Sequence, residues 1–288
     1  MRLFYYVHTG HRIGLDRFRR AATIIRALGD VDITLLSSDF RIASEARNHG
    51  VKRAVGVDVV RNIPQIAQHG DKIIFDSAEA NPALLADMHR FFSAFVRVTD
   101  DPEDAKGEGE CLVSPYLEGE GIWTGTPVAP EYFEPCEKTI RCALFFGDDD
   151  YEEDLFKQRD MFRKHKMELL EGFYWFLGYE EKVGDAFGTR HESDAYDAVV
   201  RGSEVLVTAS PQAALENLAS GGKPVFLQRP DYATDFLECF RKLNIPVING
   251  YDEAALDGVL ESLEGHCYGK LANNTHKLDK FLKVCLDL

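Results

Sequence analysis

The chain has 288 residues, long enough for about two domains, with 45% hydrophobic residues and a formal net charge of −15. That acidity argues against a nucleic-acid binder or a protein docking on anionic lipid, since both need a basic face, but leaves room for a small anionic ligand in a locally basic pocket. No apolar run approaches the roughly 18 residues of a membrane span, and the six cysteines form no CxxC pair or metal-ligand spacing, so they read as reduced thiols of a cytoplasmic protein.

The chain begins MRLFYYVHTG, where the apolar run is too short for a signal peptide and flows into a strand. The turn-rich loop HTGHRIG follows, and from Leu15 the residues Phe18, Ala21, Ala22, Ile25 and Leu28 fall at helical spacing until Gly29-Asp30 stops them. ITLLS is a second strand, Arg41 to Asn48 a helix, VKRAVGV a weak strand and KIIFD a stronger one. Pro82 opens the helix PALLADMHRFF, and FVRVTD is again a strand. Apolar runs alternating with helical patterns indicate a parallel sheet with helices on both faces.

The rhythm breaks between about Asp100 and Lys138, where Pro and Gly recur and a path between two domains is expected. It restarts with the strand IRCALFFG, a helix from about Tyr151 to His165, FYWFLG read as a buried strand through Phe173, Tyr174, Trp175 and Phe176, and a helix from Glu192 to Arg201. Two βα units follow, beginning PVFLQRPDY and IPVINGY, and the tail from Leu271 to Leu286 reads as a closing helix. The expected architecture is α/β: two Rossmann-like, doubly wound parallel-sheet domains facing across a cleft, over residues 1–135 and 136–288, with the closing helix in the second. Ligands in such sheets lie at the carboxyl ends of the strands.

Within this frame LVTASPQAALENLASGGKPVFL, from Leu206, is the most informative stretch. Ser210 is a natural N-cap and Pro211 suits the first helical turn. The helix start offers N–H groups and positive dipole to an anion, phosphate above all. Glu216 lies roughly a turn and a half further on, within reach of a ribose if a nucleotide sits there. An ordinary βαβ unit with a surface Glu is the plainer alternative.

Three other loops carry polar chemistry. HTGHRIGLDRFRR holds His8, His11, Asp16 and Arg12, Arg17, Arg19 and Arg20. It reads as an anion-facing site with His11 or Asp16 as acid/base, or as a solvated helix face for Arg19 and Arg20. Gly10 and Gly14 suit tight turns, and His8 fits a structural or a catalytic role equally. FFGDDDYEED places Gly147 where a phosphate cradle starts, yet Asp148, Asp149 and Asp150 repel a diphosphate and read as a solvated acidic helix start; a Mg²⁺ site there lacks converging ligands. In QRPDYATDF, Gln228, Asp231, Thr234 and Asp235 suit sugar hydroxyls, or Asp231 and Thr234 cap a helix, and Gly14 is a further candidate for the sugar side. Gly178, closing FYWFLG, is a further candidate for the nucleotide side.

IGLDRFRRA after the first strand, FFGDDD opening the second domain, and SEVLVTASPQAALENLASGGKPVFLQ together resemble the GT-B nucleotide-sugar enzymes. Within them the chain is most similar to the PseG and SpsG type of UDP-sugar hydrolase of pseudaminic acid biosynthesis. The resemblance implies that the second domain binds UDP, with Glu216 on the ribose, Ser210 and Gln212 near the diphosphate and Gly147 in the nucleotide loop. It also implies attack of water on the anomeric carbon without a metal or other cofactor. Two departures stand out. Asp16 occupies a glycine slot and Arg17 the slot of the histidine base, and arginine stays protonated. Asp148 stands where a second glycine is usual. Three functions follow: a UDP-sugar hydrolase with a relocated base at His11 or Asp16 and Arg17 on the leaving diphosphate; a glycosyltransferase; or a non-catalytic descendant that binds a nucleotide sugar or a partner protein.

Overall fold

The computed structural model describes residues 1–288, which divide into two compact units. The first comprises Met1–Gly10, Arg17–Pro127 and Asn274–Leu288, and the second His11–Asp16 and Val128–Asn273.

The first unit is built on β1 (Leu3–Val7), α1 (Asp16–Ala27), β2 (Ile33–Ser37), α2 (Phe40–Glu45), β3 (Arg53–Gly56), α3 (Ile63–Ile66), β4 (Lys72–Asp76), α4 (Pro82–Phe91), β5 (Ala94–Val98), β6 (Glu110–Ser114) and β7 (Ile122–Thr124). The strands form one sheet in the order β3-β2-β1-β4-β5-β6-β7, all in parallel register. β6 and β7 come from the Pro/Gly-rich stretch expected to be a linker. Short strands added beside an existing sheet, β6 between β5 and β7 and β7 at the edge, need little β-propensity of their own, so the sheet overrides the local signal. The units therefore part at Pro127–Val128 rather than at residue 135.

The sheet order reverses between β1 and β4, and buried charge fills that point. Asp76, at the end of β4, accepts from Arg20 Nε at 2.9 Å and Nη2 at 2.7 Å and from the Tyr5 hydroxyl at 3.1 Å. Arg20 also pairs with Asp100. The solvated face expected for Arg19 and Arg20 is not found, because both are buried.

The second unit holds β8 (Ile140–Phe145), α5 (Asp154–Lys157), α6 (Arg159–Arg163), β9 (Glu168–Leu170), α7 (Tyr179–Gly184), β10 (Arg190–His191), α8 (Tyr196–Gly202), β11 (Ser203–Thr208), α9 (Pro211–Ala219), β12 (Lys223–Gln228), α10 (Leu237–Lys242), β13 (Val247–Asn249) and α11 (Glu253–Ser262). Its parallel sheet runs β10-β9-β8-β11-β12-β13. The strand expected at Phe173–Phe176 is a loop. β9 ends at Leu170, and the Tyr174 N–H turns back to the Asp148 carbonyl at 2.8 Å. Past the end of α9 Gly221 turns the chain at φ +74°, and Gly222 has no room for a side chain because a Cβ there would lie 2.4 Å from the Asn217 amide.

The closing helix α12 (Thr275–Cys285) belongs to the first unit, not the second as expected. It buries Thr275, Leu278 and Leu282, and Cys285 is bonded to Cys111 of β6. The expectation that all cysteines are reduced thiols is thus corrected for this pair. Local spacing carries no signal for two residues 174 positions apart in sequence. Cys285→Ser is expected to cost roughly 2–4 kcal/mol, read as a lower melting temperature by calorimetry. Equal melting with and without a thiol reductant would mean that apolar packing alone retains α12. No helix is long and apolar enough to cross a membrane.

Candidate functional site

In the second unit the sheet order reverses between β8 and β11, which pair so that Phe145 lies opposite Thr208. In open α/β sheets, the carboxyl ends of two such strands make the ligand crevice. Their following loops, Phe146–Asp150 and Ala209–Ser210, meet there with the amino end of α9. Ser210 is the N-cap in extended conformation, its hydroxyl accepting from the Ala213 N–H at 3.0 Å. Pro211 occupies the first helical turn. This is the arrangement expected for an anion.

An anion does sit there, and it is the chain's own. Asp16 Oδ1 accepts from the Ser210 hydroxyl at 2.6 Å, and Oδ2 from the Gln212 N–H at 3.3 Å. The helix dipole favours this negative charge. The rest of His11–Asp16 is fastened by the acidic run. Asp148 accepts from the Leu15 N–H at 2.9 Å and Asp149 from that of Arg12, while the Tyr232 hydroxyl donates to the Ile13 carbonyl. Gly14 has φ +78°, and a Cβ there would come within 3.3 Å of the Tyr232 hydroxyl. The Arg12 guanidinium lies 3.9 Å over the Tyr151 ring.

The acidic triplet is therefore not a solvated helix start, since all three residues are buried. Asp148 and Asp149 capture backbone donors from a segment far away in sequence. Asp150 accepts from the Asp154 and Leu155 N–H groups at 2.8 and 2.9 Å and from the Tyr179 hydroxyl. Burial raises its pKa despite these bonds. No group of three or more His, Cys, Asp or Glu is placed to hold a metal ion.

With the loop seated, the space among Gly14, Asp16, Gly147, Ser210 and Arg229 is about 20 Å³, room for one water. The open crevice implied for a diphosphate is filled in this conformation.

Glu216 is 2% exposed. Its Oε1 accepts from Gln212 Nε2 at 2.8 Å, one turn back on the same face, and its Oε2 from the Tyr196 hydroxyl at 2.7 Å. The surface Glu of the plainer alternative is excluded, yet the carboxylate faces protein donors rather than an open ribose site.

His11 packs on Tyr174 and Phe176, with ring centroids 4.8 and 6.0 Å away, and its Nδ1 is 3.9 Å from Asp149. Arg17 belongs to the first unit, with Nε 3.6 Å from Asp76. In the same unit, His8 Nδ1 is buried without a hydrogen-bond partner, and burial lowers the pKa of that ring.

Of the sugar-side candidates Gly14 lines the crevice, whereas Gln228, Asp231 and Thr234 are engaged in local turns. Asp231 takes the Arg229 guanidinium through two bonds at 3.0 and 2.6 Å. Gln228 Nε2 donates to the carbonyls of Arg229 and Tyr232. Thr234 accepts from the Phe236 N–H at 3.2 Å, leading into α10. Gly178 is the N-cap of α7 (φ +81°), with its N–H on Glu180, and takes no part in the crevice. These short-range turn bonds form with the nearest donor, so a polar loop at a strand end is not by itself a sugar reader.

Three residues escaped the sequence reading: Arg229, Tyr196 and Tyr232. Arg229 is buried, lies 4.5 Å over the Phe146 ring, and donates to the carbonyls of Phe146 at 3.0 Å and Asp149 at 2.6 Å. Its only sequence signal was a basic residue directly after an apolar strand.

No family model and no curated protein matches the chain in sequence. Solved structures do match over its whole length. The UDP-GlcNAc 2-epimerase of Methanocaldococcus jannaschii, in complex with UDP-GlcNAc and UDP, superposes with a TM-score of 0.63 at 11% identity, covering 99% of each chain. The fold is GT-B. CalG4, the calicheamicin glycosyltransferase, matches with a TM-score of 0.55 at 12% identity over 99% of this chain and 94% of that one. Anabaena HepE in complex with UDP gives 0.55 at 10% identity over 100% and 94%.

Proposed function

We propose that this GT-B chain binds a UDP-sugar, with the diphosphate received at the amino end of α9 in the place that Asp16 holds. The observation that carries this reading is the Asp16 carboxylate accepting from the Ser210 hydroxyl and the Gln212 N–H. A phosphate presents paired oxygens to a helix start as a carboxylate does. For the nucleotide to enter, residues 11–16 withdraw, and Gln212 and Glu216 exchange partners to meet the ribose. The activity we infer is metal-independent hydrolysis of a UDP-activated amino sugar in glycan biosynthesis. His11 or Asp16, both on that loop, then supplies the base, because Arg17 stays protonated.

One observation favours a non-catalytic nucleotide-sugar binder instead: Arg17, which stays protonated, stands where the resemblance places the histidine base. Calorimetry with UDP, CMP and GDP tests the common ground. Saturable heat with UDP is expected, and its absence overturns both readings. Release of UDP from a UDP-amino sugar without acceptor, undiminished by chelator, identifies the hydrolase. Release only with an added acceptor identifies a transferase. Binding without turnover leaves the non-catalytic reading.

A further inference from the structure

A larger cavity lies in the first unit, at the opposite end of the strands from a GT-B donor crevice. Arg2 precedes β1, Thr34 is the second residue of β2 and Arg53 the first of β3, so the cavity opens at the amino ends of parallel strands, whereas α/β ligand crevices lie at the carboxyl ends. Phe4, Thr34 and Arg53 are register partners across three neighbouring strands and so share one face of the sheet. The helices over that face are short. α2 has six residues before it tightens into a 3₁₀ turn, and α3 has four. They leave a hollow of about 630 Å³, within the range of small-molecule sites.

Its charge runs against the rest of the molecule. Acidic residues outnumber basic ones 48 to 33, yet the lining contains Arg2, Arg47, Lys52 and Arg53 and no acidic residue. Arg2 is half-exposed and already engaged: its Nε bonds Asp71 at 3.1 Å, its Nη2 the Ile66 carbonyl at 3.0 Å, and its guanidinium lies 5.1 Å over the Phe4 ring. Arg53 and Lys52 face Asp32 and Asp30 at 2.8 and 4.0 Å, with all four side chains exposed. Such pairs contribute little and exchange readily for a better anion. Arg47, at the rim, is exposed.

We propose that this cavity binds a small phosphate ester. Arg47 and Arg53 take the phosphate as planar forks, Arg2 adds positive charge beside them, the Thr34 and Ser44 hydroxyls meet a polar body, and Phe4, Ala54 and Ile66 supply an apolar floor. The site is independent of the nucleotide reading and lies in the other unit.

Titration of the isotope-labelled full chain with glucose 1-phosphate, followed by amide NMR, tests it. Saturable shifts are expected at residues 43–47 and 53–55, with glucose alone giving none. Arg47→Glu and Arg53→Glu, both at exposed side chains, are each expected to weaken binding about tenfold or more by reversing a charge at the phosphate. Calorimetry of unfolding establishes that the variants fold. The proposal is overturned if no saturation is reached by about 10 mM, a concentration that exposes even millimolar binding. It is equally overturned if the shifts fall only in the second unit, or if both charge reversals leave the affinity unchanged.

Discussion

Asp16→Ala is expected to bind UDP about tenfold or more tightly than the natural chain. In the closed arrangement the Asp16 carboxylate accepts from the Ser210 hydroxyl and the Gln212 N–H, so UDP must first displace it. Hydrogen bonds to a charged group contribute about 1.5–3 kcal/mol, and each 1.4 kcal/mol is about a factor of ten in affinity. A ligand that binds only the open form loses apparent affinity by the fraction of molecules that are closed. Removing the carboxylate lifts that penalty and removes an anion that repels the diphosphate. Asp16→Asn keeps the shape and one acceptor oxygen without the charge, and is expected to fall between the two. Calorimetry with UDP on the three proteins decides it. Equal or weaker binding by Asp16→Ala would show that the carboxylate does not stand in for the diphosphate. If Asp16 is instead the general base, Asp16→Asn loses roughly a hundredfold or more in turnover while its binding still improves.

The same residues show where sequence was informative and where it was not. Alternating β and α patterns are encoded within each segment, and so are the caps. Ser210 caps α9 with its side-chain oxygen on a backbone N–H of the first turn, and Pro211 and Pro82 each stand in the first turn of their helix. Those features were legible. The anion-binding character of the α9 start was legible too, since it needs only the N-cap and the free first-turn N–H groups. What fills it was not, because Asp16 and Ser210 are 194 residues apart. The acidic triplet misled for the same reason. Three adjacent carboxylates look solvated until donors arrive from elsewhere, and here Arg12 and Leu15 supply them. Glu216 was located correctly on its helix, but its partner Tyr196 comes from the preceding helix and carries no motif.

The first loop also explains how the chain departs from the pattern it resembles. In sequence, Asp16 and Asp148 look like two unrelated carboxylates near the crevice. In the structure they belong to one arrangement. Asp148 holds the Leu15 N–H, which brings the next residue, Asp16, onto Ser210 and Gln212.

The second large effect is expected at Arg229, where Arg229→Ala should lower the melting temperature of the second unit by about 10 °C. The buried guanidinium donates to the Phe146 and Asp149 carbonyls, clasps Asp231 and lies 3.9 Å from the buried Asp150. Burial opposes its charge, but Asp231 and Asp150 outweigh this and raise its pKa. Truncation leaves two carbonyls without their donor and Asp150 without its nearby cation, a loss of the order of 3–5 kcal/mol. At about 2–4 °C per kcal/mol for domains of this size, the shift is large. Arg229→Lys retains charge without the planar fork and should recover only part of it. The acid limb adds a second readout. Burial would raise the Asp231 pKa, but Arg229 holds it below the ordinary value. The pair therefore stabilises the fold above the ordinary carboxylate range, and its contribution fades as pH falls through the lowered pKa. Arg229→Ala should thus flatten the loss of stability on acidification. Because the same guanidinium joins the β8 loop to the β12 loop around Gly147, the variant should also loosen the seating of His11–Asp16, read as faster hydrogen exchange at the Arg12 and Leu15 amides. A melting temperature within about 2 °C of the natural chain, with those amides unchanged, would show that the crevice is held together by its hydrophobic surroundings rather than by this buried cation.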